Sequence, residues 1–179
     1  ALTGHLVLST LHTTEAAGAI PRLIDMHVEP FLISSTVDLI IAQRLVRKFA
    51  ADAPKEKYTP TPEELANLGK YCDMQRVLKM LQEDKFLKPK ATMADIVFYR
   101  PKPSQDAKTP VDAYKGRLGI VEVLKVSEPI RDLIVKKAST KDIAAQAIAE
   151  GMRTMIEDGF VKAAQGLTSI EEILRVITE

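Results

Sequence analysis

The chain has one cysteine, Cys72, among its 179 residues, and no tryptophan. A lone thiol forms no internal disulfide and no multi-cysteine zinc site, which excludes a disulfide-stapled secreted scaffold and suggests an intracellular protein. Aromatic residues reach only 5%, too few for stacking platforms along a single-stranded nucleic acid. Charge of one sign is lacking too. The 25 Lys and Arg residues against 24 Asp and Glu leave a net charge of +1, so no global field draws the chain to nucleic acid or an anionic membrane. No apolar run reaches the roughly 18 residues of a membrane span, so no direct membrane insertion is expected. The apolar start, Ala1 to Leu11, has no basic flank and is interrupted by His5, unlike a signal peptide. Also missing are G-x-x-x-x-G-K-[ST], G-x-S-x-G, H-E-x-x-H and C-x-x-C, so catalysis by this chain alone has no visible engine.

What is present, 46% hydrophobic and 27% charged residues, suits an ordinary folded globular protein, and the strand and helix patterns along it suit an α/β one. Three zones emerge. Residues 1–50 carry two prolines and balanced charge. Residues 51–115 hold seven of the ten prolines and most of the lysines, and read as an insert with long loops. Residues 116–179 return to compact periodicity. The first zone opens on Leu6-Val7-Leu8-Ser9-Thr10-Leu11, which predicts a strand buried on both faces. A core strand so close to Ala1 points to a fragment of a longer chain. Ala16, Ala17, Ile20, Leu23 and Ile24 then share one helical face, with Thr13 or Thr14 as the cap and Pro21 as a bend. A second helix is expected from Glu29-Pro30 through Ala42, apolar almost all round and deep in the domain.

In the insert, a helical pair is expected across Glu63–Leu81 and a strand at Ile96–Tyr99. In the last zone, a strand over 116–124 precedes four short helices. Pro129 lies in the first turn of one helix. Ser139-x-x-Asp142, Thr154-x-x-Glu157 and Thr168-x-x-Glu171 read as capping boxes for the others, and Gly151 and Gly166 as C-terminal caps.

The residues with chemistry to offer lie in His5-Leu-Val-Leu-Ser-Thr-Leu-His12-Thr13. Histidines seven apart face opposite sides of a straight strand, which excludes a two-histidine metal site within it. His12 would instead end the strand at the edge where open α/β sheets place ligands, beside hydroxyls and a helix N-terminus suited to phosphate. The alternative is a capped strand end whose histidines merely face solvent.

Thr3-Gly-His-Leu-Val-Leu-Ser-Thr-Leu-His-Thr13 resembles the His box of the secretion-superfamily ATPases, the motors of type II secretion and type IV pili. Ala17–Met26, Glu29-Pro30-Phe31-Leu32, Gln43-Arg44-Leu45-Val46-Arg47, Tyr114–Ile120, Gly151-Met152-Arg153-Thr154 and Gly166-Leu167-Thr168-Ser169-Ile170-Glu171-Glu172 resemble further family blocks, in the family's order. The resemblance implies the C-terminal part of a RecA-like P-loop ATPase domain over 1–50. It implies an insert over 51–115 in place of the family's tetracysteine subdomain, and a mainly helical C-terminal subdomain over 116–179. It assigns catalytic roles near the γ-phosphate to His12 first and His5 second, and nucleotide contacts to Thr13 and Arg117. Gln43, Arg44 and Arg47 match a family motif that packing explains equally well, and support of the glycine-flanked turn explains Arg117 equally well. ATP and Mg²⁺ are implied for the intact enzyme, with other subunits of a homohexamer and an inner-membrane platform protein as partners, at the cytoplasmic side. The family's Walker motifs precede the His box, so this chain alone is expected to hydrolyse no ATP. With one thiol, no zinc is expected, and the insert is held by packing.

Two departures stand out. Met26-His27 replaces the family's frequent Met-Gly, so the helix-ending turn is expected to differ. The cysteine pairs of the type II and pilus-assembly branches are missing, although the helical blocks match that branch better than the retraction motors. A docking module without nucleotide chemistry is the competing reading, and a RecA-like DNA motor is disfavoured by the neutral charge.

Overall fold

The computed structural model describes residues 4–102 and 113–178. Ala1–Thr3, at the head of the histidine motif, and the proline-bearing 103–112 end of the insert lie outside the described residues. Helices and strands mix in an α/β chain: α1 (Ala19–Asp25), α2 (Pro30–Thr36), β1 (Leu39–Phe49), β2 (Lys55–Tyr58), α3 (Pro62–Leu68), α4 (Met74–Glu83), β3 (Phe98–Pro101), β4 (Tyr114–Lys125), α5 (Glu128–Val135), α6 (Thr140–Ala149), α7 (Met155–Ala164) and α8 (Ile170–Thr178). β1 pairs with β4, and β2 pairs antiparallel with β3, Lys55 opposite Pro101 and Tyr58 opposite Phe98. The chain divides into two units, one of residues 1–43 and 121–154, the other of 44–120 and 155–179.

In the first unit, α2 packs on α5 and α5 on α6. Ile33, Ile130, Ile134 and Ile143 are fully buried there. Arg131 of α5 donates to the Ser34 carbonyl and pairs with Asp38 at 3.2 Å, stitching the end of α2 to α5. Ser139 and Asp142 form the expected reciprocal cap of α6, and Gly151 takes φ 98° just beyond it.

Several local expectations change here. Residues 5–13 form no strand, and Leu6 and Leu8 are 90% and 88% exposed. A run built for burial on both faces needs a neighbour for its backbone, and among the described residues no strand pairs with it. α1 begins only at Ala19, capped by neither Thr13 nor Thr14. Pro21 therefore falls in the first turn, where its missing N–H has no helical partner to lose, so it removes no helical hydrogen bond. α2 stops at Thr36 instead of running to Ala42. The Ser34, Ser35 and Thr36 hydroxyls donate back to the carbonyls of Phe31 and Leu32, and β-branched residues follow, so the chain leaves the helix for β1. Phe31, expected in the core, is 71% exposed. The turn at His27 keeps the glycine-like geometry: His27 has φ 65°, its N–H donates to the Ile24 carbonyl at 2.9 Å and the Val28 N–H to Leu23 at 3.1 Å. Two carbonyls satisfied together outweigh the left-handed strain.

In the second unit, α4, β3, α7 and α8 share one core built on Val77, Leu81, Ile96, Phe98, Phe160 and Ile173. The expected helical pair is present as α3 and α4, each entered through a side-chain cap at Thr61 or Asp73. The expected strand begins at Phe98, because a one-turn 3-10 helix at Met93–Asp95 precedes Ile96. α7 and α8 approach so closely at Gly159 that a Cβ there would stand 2.8 Å from Ile173 Cδ1. Arg76 of α4 pairs with buried Glu157 of α7 at 2.9 Å. The box expected at Thr168 shifts by one residue: Ser169 Oγ accepts the Glu172 N–H at 3.4 Å, which frees Thr168 for another bond.

Candidate functional site

His5 and His12 are exposed on the irregular segment before α1, in the first unit. Thr13 beside them is half-buried, and its hydroxyl donates to the Glu15 carbonyl at 3.1 Å. The amides expected to crown a helix here are otherwise engaged or displaced. The Ala16 N–H donates to the buried Glu122 carboxylate at 2.6 Å, and α1 starts three residues later. Glu122 of β4 thus fixes the segment's exit, while His12 is exposed. Arg117 is exposed on β4 in the second unit.

Magnesium, implied by the resemblance, meets no cluster of metal-binding side chains among the described residues. Among the described residues no three His, Cys, Asp or Glu side chains converge to hold a metal. Cys72 is half-buried against the second unit's core, and burial pushes its thiol up to about 12.

The second unit holds a denser polar node. β1 carries Arg44 and Arg47, and both reach α8. Arg44 donates to the Val176 carbonyl, a cation beside the helix's last turn. Arg47 donates through its guanidinium to Glu172, whose carboxylate also accepts the Arg47 backbone N–H at 3.3 Å and Arg175 at 3.0 and 3.2 Å. Burial raises the Glu172 carboxyl, but these hydrogen bonds outweigh it and bring the group down to about 2. The same carboxylate raises the Arg47 guanidinium further.

Around this pair, four consecutive residues of the turn between α7 and α8 are each held by a different partner. The Gly166 carbonyl accepts from Lys55 Nζ at 2.9 Å. The Leu167 carbonyl accepts the Phe49 N–H at 2.9 Å. Thr168 Oγ1 donates to the Arg47 carbonyl at 2.7 Å. Ser169 Oγ meets the Tyr114 hydroxyl at 2.8 Å. Thr168 and Ser169 are fully buried, so each lost partner would leave an unsatisfied polar group. Three separate sequence blocks, at 43–47, 114–120 and 166–172, therefore meet at one place. Read singly, they pointed to caps, packing and, at Arg117, a nucleotide contact. The signal available in the sequence was the pair of hydroxyls followed by two carboxylates, more polarity than a helix cap requires.

The model of the family described as type II/IV secretion system protein matches residues 1–175. The chain is 45% identical over 176 residues to the type II secretion system protein E of Xanthomonas campestris pv. campestris, covering 98% of this chain and 27% of that protein. It is 38% identical to the type IV pilus assembly ATPase PilB of Pseudomonas aeruginosa, again over 98% of this chain and 27% of the relative. It is 37% identical over 182 residues to the type II secretion system ATPase E of Vibrio cholerae, covering 99% and 31%. The chain thus spans between a quarter and a third of these relatives' length. With nearly every residue inside the match, and the blocks at 43–47, 114–120 and 166–172 converging on one node, the chain belongs to the type II/IV secretion system protein family.

Proposed function

We propose that this chain is the C-terminal part of an ATPase that powers type II secretion or type IV pilus assembly. In this reading the motor works as a homohexamer at the cytoplasmic face of the inner membrane, against a platform protein. Residues 1–50 finish its RecA-like core, 51–115 stand in for the tetracysteine subdomain, and 116–179 complete the C-terminal subdomain. Similarity over almost the full chain to proteins named as secretion and pilus ATPases carries the proposal. The phosphate loop and the carboxylates that would hold magnesium belong to sequence outside these 179 residues, and this chain by itself turns over no ATP.

The chain's own contribution is a hydrogen-bond donor. Hydrolysis attacks the γ-phosphate with water and depends on positioning and charge stabilisation. His12, exposed on its segment, offers an imidazole N–H toward the terminal phosphate, and His5 stands second. Thr13 would have to release the Glu15 carbonyl before its hydroxyl could donate to phosphate, so it contributes less. Arg117 supplies an exposed cation for the nucleotide of its own or a neighbouring subunit. His12→Ala in the full-length protein should leave melting temperature and assembly intact, because the side chain is outside the core. ATPase rate should fall tenfold or more, about 1.4 kcal/mol of transition-state stabilisation. Near-normal turnover by the folded variant would return His12 to a solvent-facing histidine.

A further inference from the structure

Beyond the node on α8, the second unit holds an unbroken run of cations and rings. The Arg47 guanidinium lies 4.7 Å over the Tyr114 ring. Tyr114 stacks on Phe49 with centroids 5.0 Å apart and planes 12° from parallel. Lys55 Nζ stands 5.6 Å from the Phe49 centroid and 5.2 Å from that of Tyr99. The Tyr99 ring in turn sits close to Gly166, where a Cβ would be 3.0 Å from two ring carbons and the backbone is at φ 73°. Five side chains from β1, β4, β2 and β3 thus form one column, and the 166–169 turn is bonded along its length.

We propose that this column is a mechanical coupler that binds the insert strands β2 and β3 to the Arg47 end of β1, so that the two ends loosen together. Both end cations are fixed by oxygen partners on the same α7–α8 turn and helix: Arg47 by Glu172, Lys55 by the Gly166 carbonyl. Between them lie two rings whose negative faces both cations attract. Arg47 Nε is buried without an acceptor, so the guanidinium depends on the ring beneath it as well as on the carboxylate. Shifting either cation frees a ring, and the freed ring withdraws support from the other. Arg47 and Lys55 need no direct contact for this coupling, since they share the Tyr114–Phe49 pair. The coupler gives the insert a fixed tie to the rest of its unit.

Amide hydrogen exchange on the 179-residue chain tests the proposal, with Arg47→Lys and Lys55→Met as the two breaks. The Lys102 amide, bonded to the Pro54 carbonyl at 2.8 Å, reports the β2–β3 end. The Arg47 amide, bonded to Glu172, reports the other end. The Phe86 amide, bonded to Leu81 at the end of α4, lies off the column and serves as reference. Arg47→Lys should speed exchange at Lys102 tenfold or more, and Lys55→Met should do the same at residue 47, with Phe86 changing less than twofold. The double variant should exchange no faster than the faster single variant. Effects confined to the substituted end, equal acceleration at Phe86, or multiplicative effects in the double variant would each overturn the coupler. Phe49→Leu removes a ring of the shared pair while leaving both cations their oxygen partners and the Tyr114 hydroxyl its bond to Ser169. It carries the same expectation at both ends if Arg47→Lys unfolds the chain.

Discussion

Replacing Glu172 by glutamine removes one charge, keeps the shape, and leaves Arg47 and Arg175 facing a neutral amide. The carboxylate is 2% exposed and accepts from both guanidiniums. Its fall from an ordinary 4.5 to about 2 corresponds to about 3 kcal/mol of stabilisation at neutral pH. Both arginines remain partly in solvent, which screens the attraction and trims the expected loss to about 2 kcal/mol. The pH dependence follows from the sign of the shift. A depressed carboxyl stabilises the fold fully above its unfolded value and loses that contribution as pH falls toward the folded one. The gap between the native chain and Glu172→Gln should therefore keep about half its size or more at pH 3.5, and close toward pH 2. Urea unfolding followed by far-ultraviolet circular dichroism measures this without a tryptophan, which the chain lacks. A gap below about 0.5 kcal/mol at pH 7, or one already closed at pH 4, would refute the reasoning.

Gly159→Ala should cost about 1–3 kcal/mol, since the new methyl meets Ile173 at 2.8 and 2.9 Å, and Ile173→Val should recover part of that loss in thermal melts. His27→Gly should stabilise by up to about 1 kcal/mol, because only glycine adopts φ 65° without strain, and a lower melting temperature would contradict the assignment of that turn. Cys72 should resist alkylation by iodoacetamide at pH 8 in the folded chain and react in urea, because burial holds its thiol near 12; rapid labelling without denaturant would contradict this.

The sequence was most legible where one residue type has one physical use. Gly151 and Gly166 mark helix ends because both adopt positive φ, and Ser139 with Asp142 closes a reciprocal cap. It was least legible where the same apolar run fits two periods. Leu39-Ile40-Ile41-Ala42 continues the helical face of α2 as well as it starts a strand, and the choice was made by Ser34, Ser35 and Thr36 turning their hydroxyls back on the helix. Leu6–Leu11 carries the right composition for a buried strand, yet composition cannot supply the neighbouring backbone a strand requires. At the candidate site, the histidines could be singled out from their motif. The node around Glu172 could not, because its members lie far apart in the chain and no spacing rule connects Arg47, Tyr114 and Ser169.

The pairing of β1 with β4 has a consequence for dissecting the protein genetically. The boundary between the two units cuts both strands, at Gln43/Arg44 and at Ile120/Val121, and cuts the chain once more at Thr154/Met155. Three crossings mean that neither unit corresponds to one continuous stretch of codons. Deleting residues 1–43 leaves α5 and α6 without α2, while stopping at residue 154 removes α7, α8 and the 166–169 turn, leaving α4 uncovered and Lys55, the Arg47 carbonyl and Tyr114 without their partners on that turn. Deletion series, split reporters and domain swaps cut at a single point will therefore damage both units at once. Only paired cuts, exchanging 44–120 together with 155–179, keep each unit's own chain segments together.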